Sequence, residues 1–302
     1  MLWNDNVQTI ILLFLTVHGV VGNVVIFVRY VCNFLMGTEK KPIDLILIHL
    51  VFSSLLMICS MVIRERAIIF YFKIDLGDVG CKVVVFLGRM ARGLSICTTC
   101  LLSIVQAVTI NPRMTLWRKL KPQTSGQVLP YLLLFWMLSC LISSNLLCYI
   151  TSVRSMNRSA VGKQSGYCIM LPSRQIVKWL FLSLMTLRDV IFQSLMGWSS
   201  ASLALHLYKH HKRVSYLHSS SKCVNNSSPE IRATQSTLIL MACFLFSYWV
   251  DFILSLYTGF TVTQDSITFI IKGFLELGYA VLSSFVLLSR DVHVAKYWSA
   301  HK

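Results

Sequence analysis

The uncharged stretch NVQTIILLFLTVHGVVGNVVIFV, residues 6–28, decides the fold. It runs from Asp5 to Arg29 without a charge, and about 20 apolar residues are enough for an α-helix to cross the hydrocarbon core of a bilayer. The stretch follows an acid rather than a base, is longer than a signal core, and precedes no small-x-small cleavage site. We therefore expect a membrane-spanning helix rather than a cleaved signal peptide.

The composition of the whole chain agrees with a membrane environment. Of its 302 residues, 55% are hydrophobic and 13% are charged, about half the charged share of a typical soluble domain, and the mean hydropathy is +0.66. These values exclude a soluble enzyme, a small secreted disulfide-rich protein and a disordered tail. Lys and Arg outnumber Asp and Glu by 28 to 12, an excess that we interpret as loop bias rather than nucleic-acid binding.

Similar apolar stretches recur along the chain. We predict seven membrane-spanning helices at about residues 7–28, 45–63, 83–110, 128–153, 179–207, 235–262 and 266–289. Backbone groups in lipid must be hydrogen-bonded within their own segment, and the stretches are too long and too evenly apolar for barrel strands. The sequence thus predicts an all-α membrane protein, a seven-transmembrane helix bundle in a single domain over residues 1–302, without internal repeats.

Lys and Arg in the connections predict the orientation of the bundle. With the N-terminus outside, fifteen of them lie in inner connections, nine in outer ones and four within spans, and the cytoplasmic side normally carries the excess. We therefore place the C-terminus in the cytoplasm. The inner bases are a candidate surface for a cytoplasmic partner, with a solvated face near anionic lipid as the alternative; they include Arg113, Lys119, Lys121, Lys209, Lys212 and Arg213.

Seven residues of the charged types Asp, Glu, Lys and Arg interrupt the predicted spans: Arg89, Arg92, Arg188, Asp189, Asp251, Lys272 and Glu276. Each costs about 3 kcal/mol at the centre of a lipid-facing helix, so such residues face the bundle interior, pair with one another, and often mark a functional site. The first two are three residues apart and the last two are four apart, so each of these pairs shares one helix face.

In the predicted orientation these charges gather in the outer half of the bundle, where a ligand arriving from outside would bind. We predict all seven as ligand-binding residues. Ion pairs that only hold helices together are an equal alternative for any single one. Four bases against three acids leave one positive charge over, which favours an anionic or polar ligand.

Two of the ten cysteines lie on the predicted outer, oxidising side of the membrane: Cys81 at the mouth of the third span, and Cys168 in the loop after the fourth. A bridge between them would hold that loop over the bundle. The same loop contains Asn157 in a glycosylation sequon. Cys97 and Cys100 have CxxC spacing, which in an apolar helix is more typical of packing than of redox or zinc chemistry.

Motifs of enzymes are missing from the sequence. It contains no HExxH, no GxSxG, no P-loop, and no zinc-spaced set of His and Cys. We expect no catalysis, no metal and no cofactor.

The third span and its flanks resemble a known family. The segments Gly80-Cys81-Lys82, Arg92-Gly93-Leu94-Ser95-Ile96 and TTCLLSIVQAVTINPR (residues 98–113) are similar to the third helix of vomeronasal type-1 receptors. Shorter similar stretches occur at 44–47, 166–168, 188–190, 198–200 and 228–236. The resemblance extends from Gly22 to Asp291, nearly the whole chain.

This resemblance implies a G-protein-coupled chemosensory receptor in the plasma membrane of sensory neurons. Such a receptor detects a small pheromone-like ligand and signals through a heterotrimeric G protein of the inhibitory class. The resemblance also implies that Cys81 pairs with Cys168 and that Asn157 carries a glycan. The chain departs from the family at Ala280 and Ser284, where the seventh helix usually has prolines, so that helix lacks its usual kink.

Three other functions remain open at this point. A bitter-taste-type receptor shares the architecture but is not expected to carry the third-span string. A non-signalling accessory homologue would explain the missing prolines. A membrane transporter could use the buried charges as a relay, but transporters tend to show repeats and broken helices in two matching halves.

Overall fold

The computed structural model describes residues 2–37, 42–69, 77–110, 124–152, 168–170, 175–218, 229–260, 271, 273–275, 277–285 and 287–288. These residues are almost entirely helical. The helices are α1 (Leu2–Met36), α2 (Pro42–Ile69), α3 (Gly77–Ile110), α4 (Ser125–Ser143), α5 (Leu146–Tyr149), α6 (Gln175–His218), α7 (Pro229–Phe260) and the apolar helix α8 (Gly273–Phe285). The strands are β1 (Ile150–Ser152) and β2 (Cys168–Met170).

Five of the helices are long and apolar enough to cross a membrane. The candidate spans are Ile10–Met36, Pro42–Ile63, Gly77–Thr109, Ser125–Tyr149 and Trp179–His206, in the same places as the first five predicted spans. The sixth and seventh predicted spans overlap the shorter apolar helices Met241–Leu254 and Gly273–Phe285. A helical protein with several membrane spans is thus confirmed, while the number of seven and the orientation stay predictions.

Helix α3 lies at the centre of the bundle. It contacts α2, α4, α6 and α7, and 89% of the residues in its span window are buried, against 22% in α1. Helix α1 instead exposes Phe14, Val17 and Val21, an apolar face that suits lipid. Because α3 is enclosed on most sides, its polar side chains must find partners inside the bundle, either on their own helix, as Thr99 and Ser103 do, or on neighbouring helices.

A disulfide ties the start of α3 to the short β-hairpin. Cys81 and Cys168, the pair that the resemblance implies, are joined with an S–S distance of 2.02 Å. The strands pair antiparallel, with Ser152 opposite Cys168, and Cys81 packs with Leu146 and Ile150 in a small buried cluster. We call this end of the bundle the disulfide end.

The chain leaves the helical conformation before the end of the fourth predicted span, at 153. Helix α4 ends at Ser143, and α5 adds a single turn before β1 begins at Ile150. Pairing with β2 satisfies the backbone of β1 in place of helical hydrogen bonds. An apolar stretch alone does not reveal this change, because a short apolar run is compatible with either a helix or a strand.

Helices α1 and α8 approach each other closely at Ala280 and Ser284, the positions where the resemblance leads one to expect prolines. Asn23 donates from Nδ2 to the carbonyl oxygens of Gly19 (2.7 Å) and Ala280 (3.1 Å). A Cβ on Gly22 would lie 2.6 Å from Ser284 Oγ, so only glycine permits this approach. Residues 277–285 are continuously helical.

Candidate functional site

Four charged side chains from three helices meet in the interior of the bundle. Arg92 of α3 lies 2.7 Å from Asp251 of α7 and 3.4 Å from Asp189 of α6, measured from its Nη2 to the nearest carboxylate oxygen. Arg188 of α6 donates to Asp189 Oδ1 from Nε (2.9 Å) and Nη2 (2.7 Å). We call these four residues the charge cluster.

The charge cluster is buried and electrically balanced. The exposed fraction is 9% for Arg92 and at most 4% for the other three residues. Two positive and two negative charges cancel, which is necessary because an unpaired buried ion costs several kcal/mol. Ion pairs between helices, which the sequence analysis gave as the alternative to ligand-binding residues, are therefore present. Arg92 connects three helices, because this side chain of α3 pairs with an acid on α6 and another on α7.

Arg89 lies on the same helix as Arg92, three residues nearer the disulfide end. It is half-buried and donates from Nη2 to the thioether sulfur of Met185 at 2.7 Å, a weak acceptor compared with a carboxylate. With Arg89 included, the described charges of this region sum to one positive charge.

A layer of hydroxyl and aromatic groups lies beside the cluster, and sequence reasoning missed it. Ser95 Oγ is 2.8 Å from the hydroxyl of Tyr248 and 3.3 Å from that of Tyr279. The rings of Phe244 and Tyr279 are 4.3 Å apart. The signal in the sequence was spacing. Ser95 follows Arg92 by three residues and Tyr248 precedes Asp251 by three, so each lies on the same helix face as a charged residue.

A cavity of about 10 Å³ adjoins the ion pair of Arg92 and Asp251. Its lining also includes Met57, Ser247, Tyr248 and Leu275. A cavity of this size accommodates about one water molecule. Any larger ligand at this place must therefore separate side chains that now touch.

A second polar cluster joins α2, α3 and α4 and carries no charge pair. Trp136 Nε1 donates to His49 Nε2 at 2.8 Å, and His49 Nδ1 lies 3.0 Å from Thr98 Oγ1. Since Nε2 accepts, the proton of the neutral ring is on Nδ1, which donates to Thr98. We call His49, Thr98 and Trp136 the neutral triad.

Among the described residues, no group of three or more His, Cys, Asp or Glu could hold a metal ion. Cys97 and Cys100 are free thiols buried in the apolar core of α3.

Several predicted site residues lie outside the described part of the chain: Lys272, Glu276, Asn157, Arg113, Lys119 and Lys121. Lys209, Lys212 and Arg213 belong to α6, and the side chain of Lys209 is exposed. Lys209 is twenty residues beyond Asp189, or about 30 Å along the helix. Lys209, Lys212 and Arg213 thus lie in a part of α6 distant from the charge cluster.

Helices long and apolar enough to cross a membrane, enclosing a charge cluster and with a disulfide at one end, define a multi-pass helical membrane protein. Comparison with known proteins narrows this class. The sequence matches the Vomeronasal organ pheromone receptor family over residues 6–300, and the chain belongs to this family. The resemblance found in the sequence is thereby confirmed, and with it the class of a chemosensory receptor; the family is one of receptors rather than enzymes.

Individual relatives match over almost their full length. Vomeronasal type-1 receptor 4 of Pongo pygmaeus is 32% identical over 287 residues, which is 95% of this chain and 95% of the relative. Vomeronasal type-1 receptor 4 of Homo sapiens is 31% identical with the same coverage. Vomeronasal type-1 receptor 40 of Mus musculus is 28% identical over 99% of this chain and 96% of the relative.

Proposed function

We propose that this receptor binds a small pheromone-like ligand at the charge cluster and passes the signal to a heterotrimeric G protein. The observation that carries the proposal is the position of Arg92 between Asp189 and Asp251. A single side chain on the central helix bonds two neighbouring helices at once. A ligand that competes for any of the three groups changes the spacing of α3, α6 and α7 together.

The two bonds of Arg92 are unequal, and the difference suggests how a ligand acts. The contact with Asp251 is 2.7 Å and that with Asp189 is 3.4 Å, and short charge-assisted bonds are the stronger ones. The longer contact is the one that a ligand group displaces at lower cost. A ligand drives the change only by binding one helix arrangement more tightly than the other.

The chemistry of the ligand follows from the charges around the cluster. The four cluster residues balance, while Arg89 adds one positive charge toward the disulfide end. This supports the predicted preference for an anionic or polar ligand, with Arg89 first in its path. Lys272 and Glu276, outside the described residues, belong to the same proposed site.

The proposed orientation places the disulfide end outside the plasma membrane of a sensory neuron. It would expose Asn157 to glycosylation and place Lys209, Lys212, Arg213, Arg113, Lys119 and Lys121 at the inner surface, facing a G protein of the inhibitory class. Glycosidase treatment tests the orientation, because it should change the mobility of the wild type but not of Asn157→Gln. Two further sequons, at Asn225 and Asn226, lie in the predicted inner loop before α7. Glycosylation there instead of at Asn157 would show the opposite topology.

A cell assay tests the function. The receptor is co-expressed with an inhibitory-class G protein and a reporter, and screened against conspecific secretions. We expect a response that Arg92→Gln lowers at least tenfold in potency, and that Lys82→Gln, on the same helix near the disulfide, leaves unchanged. A receptor that reaches the surface and stays silent to every secretion contradicts the proposal.

A non-signalling homologue is the second candidate, because residues 277–285 form a continuous helical run without proline. Under this alternative the wild type binds ligand without coupling, and Ala280→Pro with Ser284→Pro restores a response. A transporter is the remaining alternative, and it is tested with the purified protein in liposomes. Movement of solute or a current across the liposome membrane would contradict the receptor proposal.

A further inference from the structure

The guanidinium of Arg188 lies in a slot between α3, α4 and α6 that a glycine creates. A Cβ on Gly93 of α3 would collide with Arg188 Nη1 and would lie 2.9 Å from Ser139 Oγ of α4. Gly93 therefore admits the guanidinium against the backbone of α3. It also brings the Arg188 and Ser139 side chains to one place.

Both side chains carry unused hydrogen-bonding capacity there. Arg188 is 4% exposed and Ser139 is fully buried, and among the described residues neither Arg188 Nη1 nor Ser139 Oγ has a hydrogen-bond partner. The other two nitrogens of Arg188 are bonded to Asp189. Nη1 carries two N–H bonds and can donate to two acceptors.

The same segment of α6 holds a further buried group of this kind. Gln193 is 1% exposed, and both its amide atoms lack partners among the described residues. It follows Asp189 by four residues and so lies on the same face of α6. Buried polar groups in native proteins are nearly always bonded, which makes this concentration of unmet donors and acceptors unusual for a part that serves packing alone.

From this geometry we infer that Gly93, Ser139 and Arg188 form a subsite for a neutral acceptor oxygen of the ligand, a carbonyl or a hydroxyl. The inference rests on the proposed function and specifies which ligand group enters deepest. Arg188 Nη1 donates to the oxygen, and Ser139 donates or accepts beside it.

A neutral oxygen suits the subsite better than an anion. The charge of Arg188 is already balanced by Asp189 at 2.7 Å, so a second anion at Nη1 would be repelled by that carboxylate in a site of low dielectric. A carbonyl or hydroxyl uses the donor without adding charge. Arg89, which lies nearer the disulfide end, is where an acidic group of the same ligand would bind.

Methionine methyl NMR on the purified full-length receptor tests this subsite. Met90 lies three residues before Gly93, and its sulfur is 3.4 Å from Cys140 Sγ, next to Ser139. Its methyl signal, assigned with Met90→Leu, reports on the slot. The probes are cyclohexanone, which has a neutral acceptor, methylenecyclohexane, which has none, and cyclohexanecarboxylate, which is an anion.

The three probes are compared in the Arg89→Gln variant, which removes the base next to Met90 where a carboxylate would otherwise bind. There we expect cyclohexanone to shift the Met90 signal saturably and to bind at least about fivefold more tightly than either other probe. Ser139→Ala should weaken cyclohexanone binding about fivefold, and Gly93→Ala should abolish it by displacing the guanidinium. The control Ser144→Ala should change nothing, because the hydroxyl of Ser144 is exposed and bonds the Leu141 carbonyl of its own helix.

Thermal unfolding of the ligand-free protein supplies a second readout. If Ser139 is unpaired, Ser139→Ala leaves the melting temperature unchanged or raises it, since it removes a buried group with no partner. A clear drop would show that Ser139 already bonds Arg188 and would overturn the subsite. Equal or tighter binding of the carboxylate or the hydrocarbon, or no saturable shift with any probe, would also overturn it.

Failure of the subsite is distinguishable from failure of the proposed function. The probe measurements use purified protein and need no G protein, while the cell assay needs no knowledge of the subsite. A receptor that signals but does not bind cyclohexanone refutes only the subsite.

Discussion

The charge cluster and the neutral triad are two polar regions inside one apolar bundle, and they differ in how completely their groups are bonded. In the neutral triad both ring nitrogens of His49 have one partner each, from α3 and α4. In the charge cluster Arg92 is shared by two acids, and Arg188 keeps a donor without a partner among the described residues. A complete network holds helices in place, whereas a network with unmatched capacity can accept a ligand.

This difference predicts that the largest losses come from unbalancing the charge cluster. Asp189→Asn keeps the shape of the side chain but leaves Arg92 and Arg188 with one carboxylate between them. Because this strands a buried charge, we expect the purified receptor to lose about 3–5 kcal/mol of stability. Thermal unfolding in detergent and the amount of receptor at the cell surface measure the loss.

The control removes a complete ion pair. Arg188→Met combined with Asp189→Leu replaces two buried charges with apolar groups of similar size, an exchange that is often neutral for stability. Arg92 keeps Asp251 in this variant. Equal destabilisation by the single and the double variant would show that charge balance does not govern this region.

The disulfide is expected to have the next largest effect, and it acts nearer to the charge cluster than to the triad. Cys81 precedes Arg92 by eleven residues of α3 and precedes Thr98 by seventeen, about 17 and 26 Å. Cys81→Ser and Cys168→Ser should each cost about 2–5 kcal/mol, lowering surface expression and ligand response. The double variant should be no worse than either single one; additive losses would contradict a shared bond.

The neutral triad should lose stability without losing ligand potency. Trp136→Phe leaves His49 Nε2 without its donor, at a cost of about 1–3 kcal/mol. Thermal unfolding should reveal this cost, while the ligand concentration for half-maximal response stays the same among receptors that reach the surface. The matched control is Trp249→Phe on α7, whose indole is partly exposed beside Phe252. A change in potency with Trp136→Phe would make the triad part of the ligand site.

The two regions were not equally accessible from sequence. Charges within apolar spans have few ways to be satisfied, so residues such as Arg92, Asp189 and Asp251 could be predicted to face one another. The triad could not, because His49, Thr98 and Trp136 meet only through the rotation and depth of three helices. Ser139 gave no signal either, since a serine in a helix usually bonds the carbonyl one turn back on its own backbone.

The fold shows the same division. Long apolar runs predict where helices lie, as in α1 and α2, although these two helices continue past the predicted spans to Met36 and Ile69. They do not predict that α4 stops at Ser143 and gives way to a strand, because that change depends on pairing with β2, which is distant in sequence. Local patterns therefore predict elements, and contacts between distant segments decide where those elements end.

The smallest loss of stability is expected from a change at the contact between α1 and α8. Here the group whose hydrogen bonds are tested is a backbone carbonyl rather than a side chain. The Ala280 carbonyl accepts from Asn23 Nδ2 at 3.1 Å and from Ser283 Oγ at 2.9 Å. Ser284→Pro removes the backbone N–H that an α-helix directs at this same carbonyl. A proline inside a helix usually costs about 3 kcal/mol. We expect only about 1 kcal/mol here, because the carbonyl keeps two donors.

Two further variants separate this explanation from general tolerance of α8. Leu282→Pro, on the exposed side of the same helix, frees the carbonyl of Gly278, for which the described residues show no such donors, so its cost should be the full value. Asn23→Ala combined with Ser284→Pro should cost more than the two changes added separately. If both prolines destabilise equally and the combination is additive, Asn23 does not compensate for the missing N–H.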